Sequence, residues 1–78
     1  MSMATQWMQC KVYKSMFSNE RVVELDGRDF VVPADKVKGE PGGDGRVEVK
    51  VFDRPDGKWA EVPSYNSTSI PVNGDGIL

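Results

Sequence analysis

Two carboxylates and one thiol are the side chains in this sequence with a claim to reactive chemistry. Glu24 and Asp29 flank the dipeptide Asp26-Gly27. A two-residue hairpin loop at Asp26-Gly27 sets them directly opposite one another, with Cβ atoms about 5 Å apart. Carboxylates that close can share a proton, hold a cation or attack a sugar. A flat hairpin supplies no cleft to perturb them, however, and water screens an exposed pair, with Arg21 or Arg28 near enough to relieve the repulsion. An enzyme built on Glu24 and Asp29 therefore ranks third among the readings considered. Cys10 alternates with Met8 and Val12, the pattern of a buried structural thiol.

The absences narrow the chemistry further. The chain contains no histidine, which removes the commonest general base, the commonest zinc ligand and any Cys–His pair. No nucleophile elbow or zinc-binding helix motif occurs. Gly42-Gly43-Asp44-Gly45 leads into a strand rather than a helix, so it reads as a turn and not as a phosphate cradle. No catalytic residue, metal ligand or cofactor is expected.

Binding is a better prospect than catalysis. In the segments either side of Pro55-Asp56-Gly57, one register pairs Phe52 with Trp59 and Lys50 with Glu61 on one face. The same register pairs Val51 with Ala60 and Val49 with Val62 on the other. Like meets like in every pair, which supports the register. Adjacent aromatics beside a charged pair are common anchors for a protein partner. The competing reading buries that face under the chain termini or a second sheet layer. Trp7, Lys11, Tyr13 and Lys14 interleave aromatics with cations on the first strand, as single-stranded nucleic-acid binders do.

The elements that position these residues are strands. Asp26-Gly27, Gly42 to Gly45 and Pro55-Asp56-Gly57 are glycine-centred turns, where glycine supplies positive φ, aspartate tolerates it and proline presets the first corner. Between them lie runs with a period of two. The strands are predicted near residues 7–16, 19–26, 28–33, 45–53 and 58–63. Met8, Cys10, Val12, Val23, Leu25, Phe30, Val32 and the Val47, Val49, Val51 series form the apolar faces. Residues 38 to 45 read as a mobile loop, Ile70 to Val72 as a short additional edge strand, and residues 73–78 as a flexible tail. The fold class is all-β: a small five-stranded antiparallel barrel or strongly curled meander, with an OB-like barrel as the alternative.

The stretch from Gly27 through Phe30-Val-Val-Pro33-Ala-Asp-Lys-Val37 to Lys38 resembles the last part of SH3 domains, where a glycine-led strand ends in Pro-Ala-Asn-Tyr-Val-Lys. The resemblance covers about a dozen residues and implies an SH3-like barrel with a 3₁₀ turn between two strands. Asp35 and Lys36 stand in place of the Asn and Tyr that help bind proline-rich peptides. The Ala-Leu-Tyr-Asp-Tyr motif and the paired tryptophans are missing, so no ligand residue is carried over.

Composition bounds the remaining choices. A chain of 78 residues is one domain with a thin core, stable by only a few kcal/mol. Twelve acidic and ten basic residues give a net charge of −2, which weighs against a dedicated nucleic-acid binder. The single cysteine permits no internal disulfide. No leader pattern or long apolar run is visible, so a cytoplasmic location without membrane partners is expected. The expected function is a non-catalytic interaction module, monomer or weak dimer. It docks an unidentified protein through Phe52 and Trp59, with Lys50 and Glu61 at the rim.

Overall fold

The computed structural model describes residues 4–65 and 68–72. They form an all-β curled antiparallel sheet, a half-barrel. The strands are β1 (Ala4–Lys14), β2 (Glu20–Leu25), β3 (Arg28–Pro33), β4 (Val37–Lys38), β5 (Gly43–Arg54), β6 (Gly57–Glu61) and β7 (Ser69–Pro71), with a 3₁₀ turn at Ala34–Lys36. Their order across the sheet is β3-β2-β1-β5-β6-β7, and β4 pairs with β5 as well. Five of these are the predicted strands, β3 with the predicted ends and the other four with ends moved by one to three residues. The other two are short: β4 is an addition, and β7 covers most of the predicted edge strand. The expected tail, 73–78, lies outside the described residues.

Local sequence explains the hairpins. Asp26 and Gly27 both take left-handed φ values, 53° and 71°, the backbone of a two-residue loop whose twist matches its flanking strands. Leu25 then pairs with Arg28, Glu24 with Asp29 and Val23 with Phe30, as the sequence predicts. The β5–β6 hairpin pairs Asp53 with Lys58, Phe52 with Trp59, Val51 with Ala60 and Lys50 with Glu61, again in the predicted register. The ladder extends by one more pair, Arg54 with Gly57, which leaves Pro55-Asp56 as the loop.

The segment predicted as a mobile loop is shorter than expected. Gly43, Asp44 and Gly45 belong to β5 and pair with Val12, Lys11 and Cys10 of β1. The loop proper is Gly39 to Gly42, and the Gly42 amide donates to the Val12 carbonyl at 2.8 Å.

Curling follows from a length argument. From β3 to β4 across a flat sheet is four strand spacings, about 19 Å. The chain makes that passage between Pro33 and Val37, whose four residue steps reach at most about 14 Å, and less through a 3₁₀ turn. The sheet must therefore roll until β3 approaches the far edge of β5. The turn at Ala34–Lys36 is anchored by the Ala34 amide donating to the Asn19 carbonyl at 2.8 Å. It is the local feature that the SH3 resemblance implies.

Rolling encloses one face. Met8, Cys10, Val12, Val23, Leu25, Phe30, Val32, Val47, Val49, Val51, Ala60, Val62, Ile70 and Val72 form a single buried cluster, with Val37 packed against it. The predicted apolar faces are thus the core. The outer faces of the strands carry Trp7, Tyr13, Phe52 and Trp59, and the candidate sites built on them lie there.

Candidate functional site

Phe52 and Trp59 are the centre of the outer-face patch. Alternation puts both on the side away from the valine core, and each is half-buried. Pro71 of β7 pairs with Trp59, which extends the row to Phe52, Trp59 and Pro71 across three strands. Arg54, two residues beyond Phe52 on the same face, lies over both rings. Its guanidinium carbon is 4.5 Å from the Trp59 centroid and 5.4 Å from that of Phe52. Stacking of this kind lowers the energy of a cation over the negative face of each ring, by about 0.5–1 kcal/mol at exposed sites. The Trp59 indole is fixed from its edge as well: Nε1–H donates to Asp56 Oδ1 at 3.0 Å.

The predicted rim residues sit one register step along. Lys50 is exposed and faces Glu61, which is half-buried. They border a shallow groove of about 250 Å³ that also holds Lys36, Glu48 and Pro63. Lys36 donates to Glu48 Oε1 at 3.1 Å, forming an ion pair at the groove wall.

The residues proposed for nucleic acid are separated by the structure. Trp7, Lys11 and Tyr13 share the outer face of β1. Lys14 follows Val12 by two positions and belongs to the opposite alternation, where it pairs with Arg21. The Trp7 ring is capped by Lys38, whose Nζ is 4.3 Å from the centroid. Lys11 lies between carboxylates, with Glu24 opposite on β2 and Asp44 opposite on β5. Tyr13, 41% exposed, instead lines up with Val22 and Val31 in a second apolar row.

Glu24 and Asp29 do stand opposite each other, and both are exposed. The expected relief by Arg21 or Arg28 does not occur. Arg21 donates to the Ser18 and Glu20 carbonyls at 2.9 and 2.7 Å, which ties down the β1–β2 loop. Arg28 lies over the Phe30 ring at 5.3 Å. Lys11 supplies the neighbouring cation, because β1 runs beside β2. A depression of about 480 Å³ lies here, bordered by Gln9, Cys10, Lys11, Glu24, Asp44 and Arg46. Among the described residues no cluster of three or more acidic or thiol ligands is placed to hold a metal.

Two titrating groups are perturbed. Burial and then the nearby Asp44 carboxylate push the Cys10 thiol up to about 11, the behaviour of a core thiol. The Tyr65 hydroxyl is raised chiefly because it donates to Glu20 Oε2, a bond that ionisation would break. Ser15 Oγ donates to the other Glu20 oxygen at 3.2 Å, so Glu20 gathers the β1–β2 loop and the segment after β6.

Arg54, Asp56 and Pro71 are the site residues that the sequence reading missed. A signal for Arg54 existed: it is two positions from Phe52 and so on the same face of one strand. Pro71 had none, because its place beside Trp59 depends on β7 docking against β6. Comparison of the chain with protein families, with curated proteins and with solved structures finds no match. Among the described residues no helix is long and apolar enough to cross a membrane.

Proposed function

We propose that this chain is a non-catalytic interaction module that docks a protein partner through the outer face of the β5–β6 hairpin. One observation carries the reading: Phe52 and Trp59 stand side by side away from the core, with Arg54 stacked over both. Tryptophan and arginine are the residue types that dominate binding energy at protein interfaces, since each offers a large rigid contact area with a polar edge. Lys50 and Glu61 give the rim its polarity. The 3₁₀ turn at Ala34–Lys36 supports an SH3-like architecture for the half-barrel. The place of action is the cytoplasm, as a monomer or weak dimer.

Single-stranded nucleic-acid binding through Trp7, Lys11, Tyr13 and Lys14 is the alternative. The carboxylates on both sides of Lys11 and the capped Trp7 ring weigh against it. The test is affinity capture from a lysate of the source cells, comparing the native chain with a Phe52→Ser/Trp59→Ser double variant shown to be folded. Capture of a protein by the native chain alone supports the reading. Equal capture by both overturns the site. Capture of nucleic acid, lost as salt is raised, transfers the function to the first strand.

A further inference from the structure

We infer that the patch reads a carboxylate: the partner presents an Asp or Glu side chain next to an apolar one. The inference rests on the docking surface proposed above and names its chemistry. Arg54 is the informative residue. Its guanidinium lies over two rings at 4.5 and 5.4 Å, so the head group is held at the patch before any ligand arrives. A guanidinium carries five N–H donors in a rigid fork that matches the two oxygens of a carboxylate. Both rings lie on one side of the group, and among the described residues no carboxylate takes up its donors in an ion pair.

The neighbouring acids are otherwise engaged or turned away. Asp56 accepts from the Trp59 indole. Asp53 alternates to the other side of β5, opposite Lys58. Glu61 is paired in register with Lys50, not with Arg54. Among the described residues no carboxylate forms an ion pair with Arg54. An arginine oriented by aromatics but unpaired with an acid is a preorganised half of a charge-assisted bond.

The same geometry selects against a stacked base. The Trp59 face that would receive it is covered by Arg54. An acidic side chain needs only the fork edge, and its apolar neighbour then rests on the exposed Pro71 at the end of the row. Because bidentate pairing depends on the planar fork, lysine at position 54 keeps the charge but loses the match.

The test is a titration of the isotope-labelled chain with acetyl-Glu-Leu-Glu-amide, followed by the Trp59 indole N–H and Arg54 Nε–H resonances. The acidic peptide is expected to move both saturably at millimolar concentration, with weakening as salt is raised. Acetyl-Gln-Leu-Gln-amide is expected to bind about tenfold more weakly, the loss of one charge-assisted pair. Arg54→Gln should bring the acidic peptide down to the level of the amide peptide, and Arg54→Lys should fall between, in chains with native-like spectra. Equal response to the two peptides, indifference to Arg54→Gln, or no movement of the Trp59 indole with either peptide would overturn the carboxylate reading. A protein captured through Phe52 and Trp59 yet unaffected by Arg54→Gln would keep the docking surface and remove its acidic ligand.

Discussion

Replacing Gly45 by alanine is expected to be far more damaging than replacing Gly43, although the two glycines stand two residues apart in one strand. At Gly45, a Cβ would lie 2.3 Å from the Lys38 carbonyl oxygen and 2.7 Å from Val12 Cγ2. Both are closer than real Cβ contacts allow, and the first neighbour is backbone. Strand β4 would have to move off β5, and with it the Lys38 side chain that caps Trp7. Overpacking of this kind costs about 1–3 kcal/mol. Fewer unfolded conformations return about 0.4–1 kcal/mol for a Gly→Ala change. The net loss is about 1–2 kcal/mol, a large share of the few kcal/mol that hold so small a domain. With about 2.1 cal/mol/K of unfolding entropy per residue, the 78 residues turn that loss into about 6–12 °C of Tm. At Gly43 the nearest atom to such a Cβ is 3.9 Å away, and the backbone is not left-handed. Gly43→Ala should therefore melt at or above the native temperature. Thermal unfolding of the two variants, followed by far-ultraviolet circular dichroism, decides the matter. If both melt within about 2 °C of the native chain, about the precision such a Tm comparison supports, the close crossing of Lys38 over Gly45 is refuted.

Two further predictions concern titration. The Cys10 thiol is pushed up to about 11 from an ordinary value of 9.0, so the folded chain resists losing the proton that the unfolded chain releases. Its contribution to stability is full below pH 9 and is lost as pH rises from 9 towards 11; urea midpoints at pH 8 and above 10 should show a smaller alkaline decline in Cys10→Ala. Tyr65 ionises above the ordinary tyrosine range because it donates to Glu20. In Glu20→Gln the carboxylate is gone, and an absorbance titration should show the tyrosine transition moving to lower pH.

The edges of the sheet show how the fold manages exposure. Pro33 ends β3 and Pro71 lies in β7, the two outermost strands, and neither can donate a ladder hydrogen bond. Extension of the sheet by another chain is thereby discouraged. The row of exposed Tyr13 and Val31 with half-buried Val22 between them is the second apolar feature of that outer surface, and it lies on the other half of the sheet.

The sequence by itself determined the five longer strands, two hairpin registers and most of the core. These depend on local physics: a period of two separates faces, and Asp26-Gly27 and Gly57 supply the backbone angles that tight turns require. Phe52 beside Trp59 was legible for the same reason, since both flank one short turn. What tertiary structure decided was every neighbour drawn from a distant segment. Pairing of β1 with β5 turned Gly43 to Gly45 from loop into strand and set Lys11 between Glu24 and Asp44. Pairing of β7 with β6 brought Pro71 to Trp59. The short passage through Ala34–Lys36 forced the roll that laid Lys38 across Gly45 and beside Trp7. Alternation along a strand is a property of each residue and its neighbours, whereas strand order is settled by which long-range pairings bury the shared apolar face. No window of sequence contains that choice.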